Sequence, residues 1–151
     1  MRAVDLVRRS EPSSTAPRAA VEPIESDCLE FLTTLPRGKV GAVYSNMFLN
    51  MDFTEREHRD LMRAIHRALA PRGLHLFSVR STSDPWYGRG RRVRPDTYDP
   101  SPHRVTMHFF SEAYADRLAK GLFEPVRRTE RSEGGSDFPI RLWYFADRRV
   151  G

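Results

Sequence analysis

Val40-Gly41-Ala42-Val43-Tyr44-Ser45-Asn46-Met47-Phe48-Leu49-Asn50-Met51 is the stretch on which the fold turns. It opens as a short apolar run with Val and aromatic character, the pattern of a strand over 40–45. It closes in small polar residues. Thr54 with Glu57 then makes a capping box, the reciprocal pair that starts a helix. Leu61, Ile65 and Leu69 recur at four-residue spacing with Met62 beside them, which predicts a helix over 54–70 with Arg and His on its polar face. Pro71 and Gly73 stop it. The run 73–80 is apolar enough for a strand buried on both faces. Strand, helix and strand in this order form a parallel unit with polar groups at the carboxyl end of its first strand, where open α/β sheets bind ligands.

Outward from this unit, Asp27 or Ser26 can cap a short helix over 29–34. Residues 2–6 suit a short strand ending near an acid, and 7–23, with Pro12, Pro17 and Pro23, reads as a flexible loop. On the other side, 81–103 is a long irregular stretch, and such stretches in compact domains are often functional. Residues 105–110 suit a strand or an extended approach to a helix that starts at Ser111 and is ended by Gly121. Runs 123–131 and 140–148, joined by Glu133-Gly134-Gly135-Ser136-Asp137, read as an antiparallel hairpin. There is no internal repeat.

The 151 residues fit one domain, 1–151, with 39% hydrophobic and 30% charged residues, the composition of a folded globule. No apolar run approaches the roughly 20 residues that span a bilayer, so no membrane partner is expected. Cys28 is the one cysteine, which excludes an internal disulfide and suits a reduced, cytoplasmic setting. As a chemical group it reads as a buried thiol rather than a nucleophile. The net charge is +5, carried almost wholly by arginine, since Lys39 and Lys120 are the only lysines. A basic chain can bind nucleic acid, but Arg56, Arg59, Arg63, Arg67, Arg127 and Arg141 are scattered rather than clustered. The densest run, Arg89 to Arg94, is either a solvated loop or a patch that steers an anionic substrate.

Several chemistries are missing. Gly88-Arg89-Gly90 lacks the third glycine and the strand–helix setting of a dinucleotide fingerprint. There is no phosphate loop and no Gly-x-Ser-x-Gly elbow. His58 and His66 stand eight apart, and His103 and His108 could converge only by accident, so no metal site is expected.

The order Ser26-Asp27-Cys28, Ala42-Val43-Tyr44-Ser45-Asn46 and Leu69-Ala70-Pro71-Arg72-Gly73-Leu74 resembles the class I S-adenosylmethionine-dependent methyltransferases. The stretch Leu76-Phe77-Ser78-Val79-Arg80-Ser81-Thr82-Ser83-Asp84-Pro85 is similar to their small-molecule, tellurite-resistance-like branch. The resemblance covers roughly 21–149 and implies an α/β, Rossmann-like, mostly parallel sheet with helices on both faces and an antiparallel C-terminal hairpin. Relative to that family the first strand and glycine-rich loop do not precede Met1, so an N-terminally truncated domain is expected, with reduced or no activity alone.

The resemblance implies S-adenosyl-L-methionine as cofactor and a small-molecule acceptor. It assigns Asp27 to the adenine amino group, the Cys28 backbone to a ring nitrogen, and Asp5 to the ribose hydroxyls. It sets Tyr44, Ser45 and Asn46 beside the methionine moiety and the transferred methyl. Tyr44 could face a sulfonium or be a core aromatic, and Ser45 and Asn46 could instead cap the turn. Arg80, Asp84, Trp86 and Tyr87 fall where substrate loops of the family lie; the aromatic pair is a lid or an anchor that pins the loop. No catalytic base is assigned.

Two rivals stay open. One is a non-catalytic Rossmann-like interaction module, or a homo-oligomer, associating through the incomplete sheet edge. The other is a basic nucleic-acid-binding domain.

Overall fold

The computed structural model describes residues 22–99 and 105–151. Asp5, the strand expected at 2–6 and all but the end of the loop expected at 7–23 lie outside the described residues. The elements are α1 (Cys28–Thr34), β1 (Val40–Asn46), α2 (Glu55–Ala68), β2 (Leu69–Arg80), β3 (Arg91–Arg94), β4 (Thr97–Asp99), β5 (Met107–His108), α3 (Glu112–Ala119), β6 (Phe123–Glu133) and β7 (Ile140–Arg149).

β1, β2, β7 and β6 form one sheet in that order. β1 runs parallel to β2, and β7 is antiparallel to both β2 and β6. This is the expected Rossmann-like α/β class with its closing antiparallel hairpin, but the sheet is mixed rather than mostly parallel: β1–β2 is the one parallel pair among the described strands, and the helices expected on both faces are described on one. Leu32 of α1, Leu61 and Ile65 of α2 and Tyr114 and Leu118 of α3 share one core with Phe77, Phe123 and Phe145. Val43, Phe77, Val79, Trp143 and Phe145 belong to that core and lie on one face of the sheet. The described helices therefore cover one face, while Tyr44 on the other is 69% exposed.

α2 starts as its sequence dictates. Thr54 accepts from the Glu57 N–H, and Glu57 accepts from the Thr54 N–H at 2.7 Å. Burying Leu61 and Ile65 contributes roughly 1.5–3 kcal/mol each. The helix ends at Ala68 rather than Ala70, because Leu69 already pairs with Val40 in the sheet. The ladder then skips to Ala42 opposite Leu74. Residues 70–73 bulge out of β2 between these two pairs, with Arg72 at φ 63°.

His58 departs from its expected place on the polar face of α2. It is fully buried, since its ring packs against Phe110 and Tyr114. The stretch 81–103 is also less irregular than expected. β3 and β4 lie within it and join β5 in a second, three-stranded antiparallel sheet, turned at Asp96 with φ 53°.

Candidate functional site

The carboxyl ends of β1 and β2 meet at one point. Asn46 stands opposite Ser78, whose hydroxyl donates to the Asn46 side-chain oxygen. Met47 follows with φ 54°, a left-handed backbone that a non-glycine residue adopts only where its surroundings hold it. Its N–H donates to the Ser78 carbonyl at 2.8 Å and to the Ser78 hydroxyl at 3.2 Å. Ser78 is thus the clamp that turns the chain sharply after β1.

Successive strand residues point to opposite faces. Tyr44 and Asn46 therefore share the open face, and Ser45 faces the helices. The Ser45 hydroxyl is buried without a hydrogen-bond partner among the described residues. Tyr44 borders a trough of about 290 Å³ with Leu76, Tyr144, Ala146, Arg127 and Arg131. The sequence set Tyr44, Ser45 and Asn46 together as one segment; the pleat separates Ser45 from the other two.

Asp27 caps α1, with one carboxylate oxygen accepting from the Leu29 and Glu30 N–H groups at 2.9 and 3.1 Å. Cys28 is the first residue of the helix and is half-buried; burial, then the charge of Asp27, pushes its thiol pKa up.

Arg80 and Asp84 are buried together. Arg80 Nη2 donates to Asp84 Oδ1 at 2.9 Å. The same oxygen accepts from the Trp86 N–H at 2.8 Å, and Oδ2 accepts from the Arg141 N–H at 2.6 Å. One carboxylate thus ties β2, the loop behind it and β7. Trp86 packs on Phe138, with the Arg89 guanidinium over its ring. Tyr87 donates to Asp96 at 2.7 Å, and this bond holds its phenol above its usual pKa. Its ring meets Tyr98 and Phe109 edge-on. Tyr87 thus anchors the second sheet, and Trp86 packs the loop against the β6–β7 joint.

Beside these ends lies a buried polar cluster that sequence reading missed. His58 Nε2 donates to the Leu49 carbonyl at 2.6 Å, and Tyr114 donates to His58 Nδ1 at 2.8 Å. His108 Nδ1 bonds the Thr97 hydroxyl at 2.9 Å, and its N–H donates to the Asn50 carbonyl at 2.9 Å. Burial keeps His58 below its usual pKa and, with the nearby His58, lowers His108 to about 4. Both rings are neutral at pH 7. The partners lie 56 and 11 residues apart along the chain, so no local pattern signals them.

No group of three or more metal-ligating side chains occurs among the described residues, and no described helix is long and apolar enough to cross a membrane.

No protein-family description matches the sequence, and no curated protein matches it. Solved structures do match the fold. A SAM-dependent methyltransferase from Methanosarcina mazei superposes with a TM-score of 0.67 at 12% identity, over 78% of this chain and 62% of that one. A Burkholderia thailandensis 1,6-didemethyltoxoflavin-N1-methyltransferase, with bound 1,6-didemethyltoxoflavin and S-adenosylhomocysteine, gives 0.54 at 18% identity over 76% and 46%. A SAM-dependent methyltransferase from Mesorhizobium loti gives 0.57 at 17% over 76% and 64%. The chain thus spans about half to two-thirds of the length of these structures. At such identities the likeness shows the fold alone: this chain has the fold of SAM-dependent methyltransferases.

Proposed function

We propose that this chain binds S-adenosyl-L-methionine at the carboxyl ends of β1 and β2 and takes part in methyl transfer to a small-molecule acceptor. The observation that carries the reading is the clamped end of β1. There Asn46, the strained Met47 and Ser78 meet in a fold shared with SAM-dependent methyltransferases. The cofactor fits the donor set on one count in particular: Asn46, exposed at the strand end, spends its side-chain oxygen on Ser78 and keeps its amide N–H groups for a ligand.

The cofactor supplies an electrophilic methyl on a sulfonium, so binding, orientation and electrostatics are what remain for the protein. Asn46 would hold its polar end through hydrogen bonds on the face it shares with Tyr44. Tyr44 offers an aromatic face that attracts a cation. Asp27 keeps a second carboxylate oxygen for the adenine amino group while the first caps α1. The Arg80–Asp84 pair fixes the loop that would flank the acceptor, with Trp86 and Tyr87 as its aromatic surface.

Calorimetry with S-adenosylhomocysteine on the purified chain tests this. Saturable binding that is weakened at least tenfold in Asn46→Ala supports it. No binding, or binding indifferent to Asn46, overturns it.

A second reading rests on the outer edge of β1, which has no strand partner among the described residues. An unpaired edge is a template for another chain. Association of two copies there makes the protein an interaction module. A concentration-independent monomer in sedimentation rules it out.

A further inference from the structure

Two buried side-chain atoms beside the β1 end have nothing to bond among the described residues: Nε2 of His108 and Oδ1 of Asn50. Neither residue is at the surface, His108 being 6% and Asn50 2% exposed. The backbone bond from the His108 N–H to the Asn50 carbonyl, 2.9 Å, sets the two residues side by side.

The hydrogen bonds around His108 fix which ring nitrogen carries the proton. The Thr97 hydroxyl has one hydrogen and two partners, the Pro95 carbonyl at 3.1 Å and His108 Nδ1 at 2.9 Å; a carbonyl can only accept, so both bonds are made together only when the hydroxyl donates to Pro95. Toward His108 Nδ1, at 2.9 Å, the same hydroxyl must therefore accept. Nδ1 bears the hydrogen, and in the neutral ring Nε2 presents a bare lone pair. Asn50 Oδ1 is an acceptor of the same kind. His58 cannot satisfy either atom, because its own two nitrogens are spent on Leu49 and Tyr114. The rings of His58 and Tyr114 pack against the His108 ring at 5.2 and 4.8 Å and hold it in place.

Two unanswered acceptors in a buried place are costly unless a donor arrives. The place itself is informative. Phe110, two residues on from His108, donates to the Arg80 carbonyl at 2.7 Å, at the carboxyl end of β2. Asn50 follows the clamped turn at the end of β1.

From this juxtaposition we infer that His108 Nε2 and Asn50 Oδ1 form a subsite for the acceptor molecule, receiving hydrogen bonds from its hydroxyl or N–H group. The inference rests on the methyl-transfer reading for the word acceptor, though the subsite itself is defined by its own atoms. It selects neutral molecules that bear O–H or N–H hydrogens, and it disfavours anions, because both protein atoms are acceptors. A site built to receive such hydrogens rejects an analogue that lacks them.

Phenol and anisole make the test, since they differ by the one donor hydrogen. The full chain, labelled with nitrogen-15, is titrated with each while the imidazole nitrogens of His108 are followed by NMR. The free protein should show Nδ1 protonated and Nε2 bare. Phenol should move the Nε2 resonance saturably, and anisole should need at least tenfold more for the same change. A protonated Nε2 in the free chain, equal responses to the two probes, or no response to phenol overturns the subsite; the last two are the outcomes of a site holding water only. Calorimetry with S-adenosylhomocysteine on the same sample keeps the parent reading separate. Failure there with a phenol response retained removes the cofactor assignment and leaves the subsite standing.

Discussion

His75 and Asp147 stand directly opposite each other across the β2–β7 ladder, both buried, and neither side chain has a hydrogen-bond partner among the described residues. His75 stacks on Phe77 with ring centroids 4.5 Å apart. Burial alone lowers its pKa to about 3. Asp147 moves the other way: burial raises it to about 6, opposed by Arg128. At neutral pH the sheet therefore holds a neutral imidazole opposite a buried carboxylate without a matching donor.

Asp147→Asn should stabilise the protein above pH 6. A carboxyl whose folded pKa is raised lends stability that is fully present below its unfolded value of 3.8 and lost as pH rises through about 6. The loss is on the order of 2–3 kcal/mol by pH 8. Urea denaturation at pH 5 and pH 8 checks this. The variant should gain most at pH 8, and an equal change at both values would count against it.

His75→Phe should act at the acid end. A histidine whose folded pKa is depressed contributes stability that is complete above about 6.5 and is lost as pH falls toward 3. His108 adds the same sign between 6.5 and about 4. Phenylalanine keeps the stack on Phe77 and cannot be protonated. Its melting temperature should fall less between pH 6.5 and 4 than that of the parent; parallel pH curves would refute the assignment.

Asp84→Ala should be among the most damaging single changes. It leaves the Arg80 guanidinium buried without its carboxylate and frees the Trp86 and Arg141 N–H groups. Removing one partner of a buried pair costs about 3–5 kcal/mol. Chemical denaturation gives the number, and a cost under about 1 kcal/mol would show that the pair does not hold the loop.

Gly73→Ala tests the bulge near the start of β2. An added Cβ would stand 2.9 Å from the Ala70 carbonyl oxygen and 3.1 Å from that of Gly41. Both are backbone atoms, so relief requires the strand to move. A cost of about 1–3 kcal/mol is expected in thermal or urea unfolding. An unchanged midpoint would mean the bulge is looser than its geometry.

Much of this was legible in the residues. Thr54 and Glu57 declare the start of α2, because a capping box is a local reciprocal bond. The parallel unit and the closing hairpin follow from apolar runs and their glycine-rich joint. β3 and β4 were not legible. Arg91–Arg94 has no apolar alternation, and its strand character comes from pairing with Thr97–Asp99. His58 was misplaced because helical spacing alone cannot tell a polar-face histidine from one drawn inward by Leu49 and Tyr114. At the candidate site, the residue types after β1 were readable, but the pleat that parts Ser45 from Tyr44 and Asn46 needs the register. The role of Ser78 needs it too, since its partner Asn46 lies 32 residues away.

The alternation along β1 has an engineering corollary. Ala42, Tyr44 and Asn46 project from the uncovered side, whereas Val43 packs into the core with the helices. Diversifying Ala42 and Tyr44 would vary recognition while leaving the framework and the Asn46–Ser78 clamp intact, and diversifying Val43 would do the reverse. A combinatorial library over this one strand could thus be split by parity, one half searched for ligand preference and the other for thermal tolerance.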